Sequence, residues 1–262
     1  MRDEQAITRG PRAYVGFVAI GLIAGLLSGL FGVGGGTVIV PLLVLLLGFD
    51  QRLAAGTSLT AIVPTASVGV ISYALSGSVA WIPALILAAG AVVGAQIGSR
   101  LMPRVSQCAL RWGFVAFLLV VLVSLFLVIP SRASVFHLTW LNGAGLVLVG
   151  ILTGVIAGLI GVGGGVVVVP VLMVVFGTSD LVAKGTSLLM MIPTAVSGTV
   201  GNLRHRNVDL AGALIIGVAA CTTTALGAWV ATLIDPATGN ILFAAYLVAI
   251  AVQMSIKAIR SR

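Results

Sequence analysis

Two short glycine runs hold the chemistry available to this chain: Gly32-Val33-Gly34-Gly35-Gly36 and Gly161-Val162-Gly163-Gly164-Gly165. A glycine run that interrupts a helix leaves backbone N–H groups without intrahelical acceptors. In hydrocarbon such groups must be met by protein, water or ligand. A helix restarting at Gly36-Thr37, and another at Gly165-Val166, would each present free amides and about half a unit of positive charge. Two such ends meeting would hold an anion without a full cation, and the missing side chains would let it approach the backbone closely. Gly34, Gly35, Gly36 and Thr37, with Gly163, Gly164 and Gly165, are therefore the candidate anion contacts. The same glycines also suit tight helix packing or a hairpin turn.

Further polar residues stand nearby. Thr57-Ser58 and Thr186-Ser187 fall at the start of the segments that follow the runs, where hydroxyls either cap a helix or hydrogen-bond an anion's oxygen. Lys184 stands where the first half has Ala55. It is placed either to draw an anion from an outer vestibule or to snorkel outward as an anchor, paired with Asp180. Pro64 and Pro193, inside long apolar segments, each free a backbone carbonyl, as hinges or as plain irregularities. Arg204-His205-Arg206, at a helix end, is a topology signal or a gate. Neither His137 nor His205 has a metal partner in view, and no metal or cofactor is expected. Asp3, Glu4, Asp50, Asp180, Asp209 and Asp235 are all placed in tails or loops, so an intramembrane proton relay has no carboxylate to use.

The elements that must position these residues are membrane helices. The chain has 262 residues, 60% hydrophobic and 8% charged, with a mean hydropathy of +1.23. Soluble domains carry roughly 25% charged residues; this composition excludes a soluble globule, a disordered chain and a basic nucleic-acid binder. Cys108 and Cys221 are too few for a disulfide framework. The fold class is all-α, polytopic, in the lipid bilayer. Apolar segments run over 14–30, 33–47, 55–75, 81–99 and 111–129, then 141–159, 162–176, 184–203, 210–232 and 241–258. A crossing needs about 20 residues, so 33–47 and 162–176 are candidates for broken or re-entrant helices. No cleavable signal peptide is expected.

With the N-terminus in the cytoplasm, twelve basic residues fall inside: Arg2, Arg9, Arg12, Arg52, Arg100, Arg104, Arg111, Arg204, Arg206, Lys257, Arg260 and Arg262. Only Arg132 and Lys184 fall outside. That split predicts a multi-pass protein of the cytoplasmic membrane with both termini in the cytoplasm. Trp81, Trp112, Trp140 and Trp229 lie near segment ends, as an interfacial belt requires.

The chain is one unit written twice. Gly25–Gly36 recurs 129 residues later as Gly154–Gly165. The same offset pairs Pro41 with Pro170, Gly56-Thr57-Ser58-Leu59 with Gly185-Thr186-Ser187-Leu188, and Pro64-Thr65-Ala66 with Pro193-Thr194-Ala195. The organisation read from this is a tail at 1–13, a first repeat at 14–130 and a second at 131–262. Each repeat makes five crossings, or three if its first two segments form a hairpin. Either number is odd, so the copies enter the membrane from opposite faces. Inverted repeats of this kind typify secondary transporters, with the substrate site near the midplane.

At the doubled Gly-Val-Gly-Gly-Gly, the runs ending in Pro41 and Pro170, and the Gly-Thr-Ser at 56–58 and 185–187, the chain resembles the sulfite exporter TauE/SafE family. The resemblance covers nearly the whole chain. It implies a permease that moves small sulfur-containing anions, such as sulfite or organosulfonates, outward across the cytoplasmic membrane. A small-carboxylate carrier or an anion channel of the same architecture are the alternatives. The glycine spacing is not that of a dinucleotide or P-loop site, and the segments hold no acid pair or nucleophile with a base, so an enzyme is not expected. Gly21, Gly25 and Gly29, Gly150, Gly154 and Gly158, and Gly90, Gly94 and Gly98 form small-residue ridges for packing within the chain or in a homodimer.

Overall fold

The computed structural model describes residues 11–127 and 140–260, all of it helix, turn or loop. The tail 1–10 with Arg2, Asp3, Glu4 and Arg9, the segment 128–139 with Arg132 and His137, and Arg262 lie outside the described residues, as does the boundary between the two repeats. The helices are α1 (Pro11–Phe31), α2 (Gly36–Leu46), α3 (Gln51–Leu75), α4 (Trp81–Leu101), α5 (Gln107–Leu127), α6 (Trp140–Ile160), α7 (Gly165–Val174), α8 (Asp180–Arg204), α9 (Leu210–Leu233) and α10 (Pro236–Arg260). A 3₁₀ turn, Met102–Arg104, follows α4. Seven of them, α1, α3, α4, α6, α8, α9 and α10, are long and apolar enough to cross a membrane. The protein is an all-α, multi-pass membrane protein.

Polar caps set helix starts that hydropathy places too late. The Asp50 carboxylate accepts the amides of Arg52 and Leu53, and the Ser179 hydroxyl accepts that of Val182. Each cap starts its helix a turn before the apolar run begins. Asp209 caps α9 through the Gly212 amide, and Asp235 caps α10 through Ala237 and Thr238. Two expectations are thereby corrected. Thr57-Ser58 and Thr186-Ser187 lie well inside α3 and α8 and cap neither helix. Asp180 is not a loop residue but the first of α8, and is 2% exposed.

The two short helices are re-entrant. With 11 and 10 residues, α2 and α7 reach about half the thickness of a hydrocarbon core. A methyl group placed on Gly16, early in α1, would lie 3.0 Å from the side chain of Leu47, just past α2. The rings of Phe17 and Phe49 stand 6.1 Å apart. So α2 returns to the end from which α1 set out. In the second half, Gly145, early in α6, faces Phe176, just past α7, in the same way.

Helix packing repeats across the 129-residue offset. The pair α1 with α9 corresponds to α6 with α4, and α3 with α9 to α8 with α4, while α3 packs on α8. The glycine ridges make these approaches. Methyl groups on Gly21, Gly25 and Gly29 would collide with the carbonyls of Ile216, Ala220 and Thr224 on α9, and on Gly150, Gly154 and Gly158 with those of Leu87, Ala91 and Ala95 on α4. The ridges are thus used inside the chain.

One end of the bundle gathers the arginines. The Arg52 guanidinium donates to the carbonyls of Pro103, at 3.3 Å, and Val105, at 2.7 Å. The Asn207 amide reaches the Met102 sulfur at 3.6 Å. These bonds bring the α2–α3, α4–α5 and α8–α9 connections together, with Arg52, Arg100, Arg104, Arg204 and Arg206. The α3–α4 connection meets the start of α8 at the other end, near Lys184. Trp81, Trp112 and Trp229 are exposed near helix ends.

Candidate functional site

After Phe31 the chain cannot continue as a helix. Gly32, Gly34 and Gly35 take φ of 70°, 71° and 77°, and Gly161, Gly163 and Gly164 take 83°, 82° and 87°. Each is a left-handed conformation that costs a residue with a side chain roughly 1–2 kcal/mol. Three within four residues turn the backbone back on itself and start α2 and α7 with Gly35 and Gly164 as left-handed caps. The first bonds inside α2 are those of Val38 and Ile39 to the Gly35 carbonyl, so the amides of Gly36 and Thr37 precede the helix ladder. Val167 and Val168 bond Gly164 likewise.

The two breaks cross each other in the middle of the bundle. A methyl on Gly36 would lie 2.7 Å from both the Cα and the carbonyl oxygen of Val162, and one on Gly165 would lie 2.9 Å from the Gly32 oxygen. The structure therefore brings Gly34–Thr37 and Gly163–Gly165 together, with the N-termini of both arms side by side.

The Gly-Thr-Ser triplets hold the crossing in place. Ser58 donates to the carbonyl of Gly161 at 2.8 Å, and Ser187 to that of Gly32 at 3.1 Å. Thr57 accepts the Asp209 amide at 3.0 Å, and Thr186 accepts the Ala80 amide at 3.0 Å. Side chains on Gly56 and Gly185 would collide with the carbonyls of Asn207 and Ser78. In each triplet the glycine admits the opposite repeat's connecting loop, the threonine fixes that loop, and the serine ties down the opposite break. All four hydroxyls are engaged with backbone.

Two residues invisible to the sequence reading fill the crossing. Ile62 and Met191 are equivalent across the offset and fully buried. A methyl on Gly34 would meet the Met191 sulfur at 3.0 Å and Ile62 at 3.4 Å, and one on Gly163 would meet Ile62 at 3.1 Å. Together they plug the space between the breaks. Apolar residues in an apolar helix carry no signal of their own; only the shared register two positions before Pro64 and Pro193 sets them apart.

Lys184 lies against the first break, its Cα 2.6 Å from a methyl placed on Gly32. Its ammonium bonds the Asp180 carboxylate at 3.4 Å, with side chains 13% and 4% exposed. It is thus paired with Asp180 and folded inward, not a fully snorkelled anchor. The pair lines a small cleft of about 20 Å³ together with Phe31, Val33, Val166 and Phe243, room for about one water. Pro64 and Pro193 lie within α3 and α8, which run unbroken through them. Among the described residues no cluster of His, Cys, Asp or Glu is arranged for a metal.

Residues 2–125 and 146–262 match the family model described as Sulfite exporter TauE/SafE. A "Probable membrane transporter protein" of Xylella fastidiosa (strain 9a5c) is 31% identical over 227 residues, covering 82% of this chain and 84% of that protein. The probable membrane transporter protein YdhB of Bacillus subtilis (strain 168) is 28% identical over 196 residues, 73% of this chain and 80% of its own. YunE of the same organism, described in the same words, is 32% identical over 120 residues, 43% of this chain and 44% of its own, so that match spans less than half of YunE. These relatives are described as transporters, not as enzymes. No solved structure matches the chain.

Proposed function

This chain belongs to the sulfite exporter TauE/SafE family, and from that premise we propose that it is a secondary carrier moving small sulfur-containing anions out across the cytoplasmic membrane. The observation that carries the reading is the crossing of two glycine breaks, each opening a half-helix N-terminus, in the middle of a membrane bundle. Amides at such ends attract anions through hydrogen bonds and dipole, and broken helices of this kind line carrier sites. The binding elements are Gly34, Gly35, Gly36, Thr37, Gly163, Gly164 and Gly165. Ser58 and Ser187 hold those backbones in register, Thr57 and Thr186 fix the adjoining loops, and Lys184 flanks the site on the side away from the arginines.

The arginine-rich end faces the cytoplasm in this reading. With α1–α2 and α6–α7 each returning as a hairpin to the side it enters from, α3–α5 and α8–α10 give three net crossings per repeat, and the copies are inverted. The crossing is plugged by Ile62 and Met191, so transport requires α3 and α8 to move them, with Pro64 and Pro193 as hinges. An inside-negative potential drives a monovalent anion outward by about 2.3 kcal/mol per 100 mV. The test is flux in proteoliposomes loaded in turn with sulfite, sulfoacetate, sulfate and acetate under an imposed potential. Saturable, potential-sensitive efflux of a sulfur anion, stimulated by the same anion on the far side, is expected. Flux of acetate alone, or a non-saturating current for every anion, would contradict it.

A further inference from the structure

The arms match in backbone and differ in side chains. Ser28, Thr37 and Tyr246 correspond across the 129-residue offset to Ala157, Val166 and Phe117. Each of these three hydroxyl residues has an apolar counterpart. Ser28 and Thr37 are fully buried, and the hydroxyls of Ser28, Thr37 and Tyr246 all lack hydrogen-bond partners. Four other buried hydroxyls of this bundle turn back onto their own helix. Thr65 bonds the Ala61 carbonyl, Thr153 that of Val149, Thr194 that of Met190 and Thr224 that of Ala220. Ser28 and Thr37 do not, although a buried polar group left unpaired is costly.

The three converge on the N-terminus of α2. Thr37 is the second residue of that helix, with its hydroxyl beside the amides that precede the helix ladder. The Tyr246 hydroxyl lies beside that of Thr37. Ser28 stands one turn past Ala24, on the face of α1 that packs against Gly35. Phe31, Phe243 and Tyr246 follow ring on ring, at 4.5 and 6.2 Å, and wall the place off. Three hydroxyl donors, two amides and a helix dipole with no carboxylate among them suit an oxyanion.

We propose that the first arm alone holds the anion, between Ser28, Thr37, Tyr246 and the first amides of α2, and that the second arm is its packing partner. This inference rests on the carrier reading and makes its site one-sided. It is tested in proteoliposomes with sulfite, sulfoacetate, sulfate and acetate, using whichever anion moves. Thr37→Val keeps the shape and removes the hydroxyl, and is expected to raise the half-saturating concentration about tenfold or more, the worth of a hydrogen bond to a charged group. Ser28→Ala and Tyr246→Phe act in the same direction, and Thr37→Ser retains near-normal affinity. Thr153→Val, removing an equally buried but bonded hydroxyl beside the second arm, leaves the half-saturating concentration within about twofold.

Unchanged affinity in Thr37→Val and Ser28→Ala overturns the one-sided site while the carrier reading stands. A loss in Thr153→Val as large as in Thr37→Val overturns it too. Movement of acetate but no sulfur anion, with the Thr37 effect intact, upholds the site and refutes the cargo. No saturable flux of any of the four overturns both.

Discussion

Gly36→Ala separates lack of space from backbone strain. Gly36 opens α2 with helical backbone, so alanine meets no conformational penalty there. Its methyl, however, would lie 2.7 Å from the Cα and oxygen of Val162 and 2.8 Å from the Gly161 oxygen. All three are backbone atoms, so the arms themselves must part by roughly 0.7 Å to reach ordinary contact, and overpacking of this kind costs about 1–3 kcal/mol. Gly48→Ala is the matched control. Gly48 has φ 70° and nothing within 4 Å of a methyl, so it carries only the left-handed cost of about 1–2 kcal/mol. Both variants are expected to lower Tm in detergent by similar amounts, roughly 2–4 °C per kcal/mol. Flux in proteoliposomes then distinguishes them. Gly36→Ala displaces the crossing and loses flux about tenfold or more, whereas Gly48→Ala, in the loop after α2, stays within about twofold. Equal flux in the two variants at equal reconstitution, or wild-type Tm and flux in Gly36→Ala, would refute the reasoning.

Other outcomes follow from the same geometry. Lys184→Ala leaves the buried Asp180 carboxylate without its ammonium and is expected to cost about 3–5 kcal/mol. The double variant Asp180→Gln with Lys184→Ala copies the first repeat's Gln51 and Ala55 and recovers most of the Tm; a double variant no more stable than Lys184→Ala would contradict the pairing. Ser58→Ala and Ser187→Ala each leave a break carbonyl unbonded, lowering stability by about 1–3 kcal/mol in thermal unfolding. Met191→Ala shortens the plug and is expected to add a non-saturating leak of anion, absent in Met191→Leu. Cys108, exposed beside the arginine-rich end, should react with an impermeant thiol reagent in inside-out vesicles but not in right-side-out ones, in a Cys221→Ser background.

Much of the architecture was open to inspection in the sequence because a bilayer imposes it. Long apolar runs, two short ones, and an in-register duplication left few alternatives to helices with two broken arms. The re-entrant course of those arms was not, because it is set by contacts such as Gly16 with Leu47 rather than by hydropathy. The Thr-Ser pairs were misplaced for a local reason. Asp50 and Ser179 cap a polar first turn that an apolar window skips, which also hid Asp180 inside α8. Ser28 passed unnoticed inside the glycine ridge of α1, and Tyr246 in α10, since a hydroxyl stands out only when its lack of a partner is seen. The breaks themselves were correctly singled out as backbone features, because only glycine tolerates three left-handed residues so close together.

For an anion to pass, the two halves of the crossing have to part. Ile62→Cys with Met191→Cys, in a chain with Cys108 and Cys221 replaced by serine, places a thiol on each side of the plug. A short bifunctional thiosulfonate is used to join them in proteoliposomes, and saturable anion flux is measured before joining, after joining and after reduction. Flux that stops on joining and returns on reduction is the predicted result; undiminished flux through fully joined protein would contradict the account.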